Sequence, residues 1–391
     1  MDVFGEPAPD SRESWVVVTL ATGAMVATFG TPYAFGVFLS HLGNEYGLSA
    51  VSLSAILSLQ LFMFYAGAGV IGFFGTRFPA RTLVLGCGAV LGALAPALFV
   101  VDSYVGLAVV FSLLGSALGV VYVVLAAIVP QWFRERRGVA TGVLFSGIGL
   151  SLFLLPPAWQ FAFDRYGVPS GFLLVLAVVA VVCGAAGLVC RRPPWTERTS
   201  VTVSELLEWS ATLFRARAFQ LHFVGLGLAL GWYFLLAAYS IELFTDRGFD
   251  GGHASVVFGL IGGISILSRI GSGVVADRIG YGRTFRAALV LVLVANVVLI
   301  VPSAPLVYVA VFLFGIGFGT IATLYIPLLL QTYDPEKSVA IVGLFNVSFG
   351  VFALGLPPLG TALIASTGSF LPAMGLTLLT SLGALLCFSR A

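Results

Sequence analysis

The chain is short of charge. Asp, Glu, Lys and Arg make up 9% of its 391 residues, where about 25% is usual for a soluble domain, and the net charge is only +2. A soluble fold of this composition would show apolar side chains on every side and aggregate. The basic, aromatic-interleaved face that nucleic acid requires is missing as well, which excludes that class of partner. Cysteine is scarce. Cys87, Cys183, Cys190 and Cys387 lie in apolar runs or at their ends, with neither metal-ligand spacing nor a disulfide framework, and read as small packing residues. His41, His222 and His253 all lie near the ends of apolar runs, so they offer no metal site and no proton relay at the middle of a membrane. There is no HExxH, no GxSxG and no pair of aspartates inside an apolar run, which argues against an intramembrane enzyme. No cofactor motif stands out either. Gly315-x-Gly317-x-Gly319 has no strand before it and reads as a helix-packing string rather than a nucleotide loop.

What remains is apolar: 59% of the residues are hydrophobic. A helix that is apolar all round is at home in lipid. A bilayer core about 30 Å thick needs about 20 such residues per helix. Twelve runs qualify: 15–39, 52–75, 80–101, 104–130, 138–163, 169–190, 219–244, 254–275, 284–301, 306–331, 339–364 and 369–388. The polar stretch 1–14, with Asp2, Glu6, Asp10 and Glu13, lacks the basic start of a cleaved signal, so the first run is expected to be a retained span. Short gaps with turn residues, such as Asp102-Ser103 and Pro302-Ser303-Ala304-Pro305, make neighbouring helices antiparallel. Of the 19 Lys and Arg residues, Arg165 and Arg247 fall in segments on one side and Arg269 inside a span; all the others fall on the side of the N-terminus. The positive-inside rule then makes both termini cytoplasmic in a multi-pass membrane protein; with no targeting segment in view, the plasma membrane is the expected location.

The two halves match at an offset of about 200 residues, the signature of an internal repeat. Gly72-x-x-x-Thr76-Arg77 pairs with Gly273-x-x-x-Asp277-Arg278, and Gly115-x-x-x-Gly119 with Gly315-x-x-x-Gly319. Gln131-Trp132-Phe133 pairs with Gln331-Thr332-Tyr333, and Pro156-Pro157 with Pro357-Pro358. The expected organisation is a tail (1–14), a six-helix bundle (15–190), a linker (191–218) and a second six-helix bundle (219–391). In the linker, Thr202-x-x-Glu205 fits a capping box, and Leu206, Leu207, Ala211 and Phe214 follow at helical spacing, as in an amphipathic helix at a membrane surface. The fold class is all-α and polytopic, with twelve transmembrane helices in two pseudo-symmetric bundles and a transport pathway between them near mid-membrane.

Gly273-Val-Val-Ala-Asp277-Arg278-Ile-Gly280-Tyr-Gly-Arg283 resembles the cytoplasmic loop motif G-x-x-x-D-R-x-G-R of the major facilitator superfamily, with one extra residue. The first-half copy, which includes Gly72, Arg77 and Arg81, has Thr76 in place of the acid and Pro79 in place of the glycine. The resemblance implies a gate at this face. Within the superfamily the chain is most similar to the monocarboxylate transporter and oxalate/formate antiporter group. Tyr33-x-x-Gly36-Val37-Phe38, Glu45-Tyr46-Gly47-Leu48-Ser49 and Ser146-Gly147-x-Gly149 carry the likeness, together with Arg269 at the group's substrate-binding arginine. Tyr33 stands where the group's animal members have a lysine, and Ser265 where they have an acid; the stretch from Asn346 to Gly350 lacks the lysine of the oxalate exchanger.

Arg269 is the leading site residue on its own chemistry. It lies two helical turns, about 12 Å, into the membrane from Asp277, where an arginine costs about 3 kcal/mol or more unless it faces a wet cavity or an anion. The bland reading is a latch arginine paired with Asp277. Tyr33, Tyr122 and Tyr325 are the expected polar lining of a substrate site, a role that family members also give to tyrosines in these spans; Asn346 and Ser265 are weaker candidates. One positive charge suits one negative charge. The expected activity is therefore transport of a small organic anion, with protons as an available coupling ion. Export of drugs or other apolar compounds is the alternative.

Overall fold

The computed structural model describes residues 8–74, 78–193, 203–333 and 338–390. Their regular structure is helical throughout. In chain order the helices are α1 (Arg12–Tyr33), α2 (Phe35–Tyr46), α3 (Ala50–Phe74), α4 (Ala80–Leu94), α5 (Tyr104–Ile128), α6 (Arg137–Tyr166) and α7 (Val168–Val189), then α8 (Val203–Leu213), α9 (Arg217–Asp246), α10 (Gly251–Ile279), α11 (Tyr281–Ile300), α12 (Ala304–Leu330), α13 (Ser338–Thr367) and α14 (Leu371–Arg390). Twelve of them are long and apolar enough to cross a membrane, one at each of the runs read from the sequence. Arg77 and Thr202 lie outside the described residues, as does Lys337, so the first-half gate motif and the capping box are only partly in view.

The first run differs from its expectation. It is two helices, α1 and α2, parted at Ala34, whose φ of −77° and ψ of 28° leave the helical region. Pro32 is the physical reason. It has no N–H to donate back to Thr28, and its ring crowds that carbonyl. Ala34 closes the turn instead, donating to the carbonyls of Gly30 and Thr31 at 3.0 and 3.3 Å.

The internal repeat appears as repeated packing. A side chain added at Gly115 or Gly119 of α5 would overlap the carbonyl oxygens of Gln60 and Phe64 on α3. In the second half, Gly315 and Gly319 of α12 press in the same way on Ile264 and Ser265 of α10. Where water offers no drive to association, such small-residue contacts let helix backbones approach and gather van der Waals energy. The paired prolines also coincide: α6 and α13 are both 30 residues long, with Pro156-Pro157 and Pro357-Pro358 at the same distance from the helix start.

Among the described residues, the closest packing of first-half helices on second-half helices runs along three seams. Along the α3–α13 seam, Gly69 faces the Gly343 carbonyl and Gly350 faces Tyr65. In the α6–α10 seam, Gly149 fits against Gly262 and Ser265, and Gly259 against the carbonyls of Leu152 and Phe153. The third brings α2 onto α9, with Gly36 against Ala237 and Ile241.

The two faces of the bundle are held differently. At the face carrying the start of α1 and the end of α14, the Asp10 carboxylate accepts the backbone N–H groups of Arg134, Glu135 and Arg136 at 3.0–3.2 Å. The Asp10 N–H donates to the Trp132 carbonyl, and Glu13 pairs with Arg191 at 2.6 Å. At the opposite face His41 bonds Asp164 at 3.0 Å, and Gln160 donates to the same carboxylate at 2.9 Å. Arg247 there donates to the carbonyls of Leu299 and Val301 at the end of α11.

Candidate functional site

A cavity of about 880 Å³ lies between the halves. Its wall is built from α1, α3 and α5 on one side and from α9, α10, α12 and α13 on the other, with α6 along one edge. The α6 and α10 residues that line it run from the Gly149–Gly262 crossing toward the face that carries the termini. Val139 and Ile270, both on this wall, are 60% and 70% exposed, so the cavity is open on this side of the crossing. Toward the other face it is capped by aromatic rings that span the two halves. Tyr33 lies 5.3 Å from Tyr233, and Tyr65 lies 6.2 Å from Phe234 and 5.5 Å from Phe349.

Arg269 is on the cavity wall. The residue is half-buried, but its Nε and Nη2 atoms are sheltered and have no hydrogen-bond partner among the described residues. Its guanidinium carbon stands 5.7 Å from the centre of the Phe318 ring. The charge senses Tyr122 and Tyr325, whose hydroxyls also interact with each other across the two halves. The latch reading of Arg269 finds no support among the described contacts, since Asp277 is exposed and accepts from the Tyr281 hydroxyl at 3.2 Å. Two buried N–H donors without acceptors cost several kcal/mol in a dry wall. A planar, bidentate acceptor such as a carboxylate removes that cost.

Tyr33, Tyr122, Tyr325 and Asn346 all line the cavity with Arg269. The Tyr33 hydroxyl is hydrogen-bonded to that of Tyr65, tying α1 to α3. Asn346 donates through Nδ2 to the Val342 carbonyl at 2.9 Å, while its Oδ1 is buried without a partner. Ser265 stands apart from this group. It is fully buried at the crossing with α6 and α12, where its hydroxyl bonds the Gly262 carbonyl at 2.7 Å, and it is not on the cavity wall.

The expected gate residues sit at the termini face. Asp277, Arg278 and Arg283 are exposed around Gly280, whose φ of 94° makes the single-residue turn between α10 and α11. Gly273 is half-buried on α10, Arg81 is exposed in the first turn of α4, and Gly72 lies in the last turns of α3. Sequence reasoning missed the apolar part of the wall, Phe29, Phe318 and Phe349 above all. No signal in the sequence separates these three from the other phenylalanines, of which the chain has 33 in all.

The comparisons with known proteins agree with this architecture. Over 92% of its length the chain is 25% identical to monocarboxylate transporter 2 of Meriones unguiculatus, spanning 80% of that protein. It is 28% identical to monocarboxylate transporter 11 of Mus musculus over 70% of its length, but spans only 61% of that relative. MFS-type transporter pytF of Aspergillus terreus is likewise 28% identical, over 70% of this chain and 93% of its own. Among solved structures, a bacterial homolog of the human lysosomal transporter Spinster, inward-facing and unoccupied, superposes with a TM-score of 0.75 at 12% identity over 97% of both chains. A point mutant of the nucleoside transporter NupG gives the same TM-score at 11% identity, over 96% of this chain and 99% of its own. The family model described as Major Facilitator Superfamily matches residues 20–357, and the chain belongs to that superfamily of membrane transporters.

Proposed function

We propose that this transporter carries a small organic anion, a monocarboxylate, by alternating access between its two halves, with Arg269 receiving the carboxylate. The observation that carries the reading is the pair of sheltered Arg269 nitrogens without acceptors, on a cavity wall with no acidic side chain among its lining residues. One fixed positive charge matches one negative charge; a second carboxylate would enter a largely apolar wall with no counter-ion. The arginine comes from the second half, while Tyr122 beside it comes from the first. An anion on Arg269 that also accepts from Tyr122 would draw the halves together, and this differential contact is what a ligand needs in order to shift a conformational equilibrium. The Lys and Arg distribution supports a cytoplasmic location for the termini face, so the open cavity would face the cytoplasm. The relatives named monocarboxylate transporters support the substrate class, at low identity.

The test is uptake of labelled mono- and dicarboxylates into liposomes containing the purified protein, with and without an imposed pH gradient. Saturable monocarboxylate uptake is expected, and its response to the gradient distinguishes proton coupling from exchange. Arg269→Gln removes two charge-assisted hydrogen bonds at about 1.5–3 kcal/mol each, a loss of roughly a hundredfold or more. Arg269→Lys, which keeps the charge without the fork, should fall between the two. Unchanged uptake by Arg269→Gln would overturn the assignment.

A further inference from the structure

The polar groups on the cavity wall are few, and most are already engaged. The Tyr33 and Tyr65 hydroxyls bond each other, and those of Tyr122 and Tyr325 interact in the same way. Ser146 and Thr323 turn their hydroxyls back onto carbonyls of their own helices, those of Val143 and Gly319, at 2.7 and 2.8 Å. The Arg269 donor pair and Asn346 Oδ1 are the buried polar atoms of the wall that have no partner at all among the described residues. The rest of the wall is apolar. Phe318 lies under the Arg269 guanidinium, Phe349 lies 5.6 Å from Tyr325, and Phe29 lies edge-on to Tyr122 at 4.9 Å; Ile148, Ile321 and Leu230 fill in between.

Resting on the reading of Arg269 as the carboxylate's partner, we infer that the substrate is a monocarboxylate with a bulky apolar body of aryl or branched-alkyl type, and not a short hydroxylated acid. With its carboxylate on Arg269, such a body lies over Phe318 and reaches Phe349 and Phe29. Burying apolar surface there is favourable in proportion to its area, and ring pairs gain further from edge-on or offset contact. A short hydroxy acid has little apolar surface to lay against this wall, and its hydroxyl must give up water there. The cavity, at about 880 Å³, has room for such a body.

Apolar acids cross lipid unaided in their neutral form, so the test is binding to the purified protein, read as a thermal shift or by calorimetry. The probes are 3-phenylpropanoate, 4-methylpentanoate, propanoate, 2-hydroxypropanoate and the uncharged 3-phenylpropanamide. The expected result is that 3-phenylpropanoate and 4-methylpentanoate bind at least tenfold more tightly than propanoate and 2-hydroxypropanoate. Phe318→Leu and Phe349→Leu, which keep most of the volume and are checked for a monodisperse elution profile, should narrow the gap for the aryl acid more than for the branched one. Equal or tighter binding of the short acids overturns this inference and leaves the anion reading in place. Binding of the amide as tight as that of the acid overturns the anion reading itself, and this inference with it.

Discussion

The seam between α6 and α10 offers a sharp test of how the two halves move. A Cβ added at Gly262 would come within 2.6 Å of the Gly149 carbonyl oxygen, and closer still to the Leu152 Cβ. Ordinary contact begins at 3.4 Å and the Leu152 Cβ would stand at 2.4 Å, so the helices must part by about 1.0 Å (3.4 less 2.4) at this point. Neither obstacle is the free end of a flexible side chain, and the strain falls on the helices themselves. Overpacking of this kind costs about 1–3 kcal/mol. That strain is present while the cavity is closed on the side away from the termini, and it is relieved when the seam opens there. Gly262→Ala should therefore favour the state open at that side by about 5–150-fold. With the four native cysteines replaced, spin labels at Phe161 and Val256 report one end of the seam, and labels at Val139 and Val274 report the other. The first pair should move apart and the second draw closer. Gly115→Ala, which strains the α3–α5 contact inside one half, serves as a control: it should lower thermal stability without shifting either distance. If Gly262→Ala leaves both distance distributions unchanged, this seam is not a rocking contact.

Two further predictions follow from hydrogen bonds elsewhere. Tyr33→Phe strands the buried Tyr65 hydroxyl, at a cost of about 1–3 kcal/mol, whereas Tyr33→Phe with Tyr65→Phe removes both polar groups; the double variant should melt above the single one in detergent, and the cycle isolates the pair. At the termini face, desolvation pushes the Asp10 carboxyl up, but the backbone N–H groups of Arg134, Arg136 and Glu135 together with the Arg136 charge outweigh it, so its pKa lies below the usual 3.8. A depressed carboxyl stabilises above its unfolded value and loses that contribution as pH falls through the folded value. The contact should thus be intact from neutral pH down to about 4 and fade below it. Amide exchange at 134–136 should be faster in Asp10→Asn at neutral pH, and unchanged exchange there would remove Asp10 as the anchor.

Lipid makes some features of a sequence easy to read and others hard. The spans were legible because a bilayer penalises any exposed polar backbone, so long apolar runs have little choice but to be helices. Arg269 was legible for the same reason, since a charge at that depth demands a cavity or a partner. The glycine repeats announced close helix crossings, and both halves use them so. The break at Ala34 escaped because hydropathy does not register Pro32, although the proline was in plain view. Ser265 illustrates a different limit. A small polar residue one turn from Arg269 looks like substrate lining, yet its hydroxyl is taken up by its own helix at a glycine crossing. The aromatic wall was hidden by abundance, because apolar residues satisfy lipid, packing and ligand alike.

The division of the first span into α1 and α2 has a mechanical consequence. Phe29 and Tyr33 belong to the cavity wall, while Gly36, just past the break, belongs to the seal against α9. On one rigid rod, any tilt that reshaped the wall would swing the seal through a larger arc and pry it loose. With the break at Ala34 the outer segment keeps its own moorings in the first half, Phe38 among Phe111, Trp159 and Phe163 and His41 on Asp164. A tilt of the wall segment therefore need not be passed on to the seal.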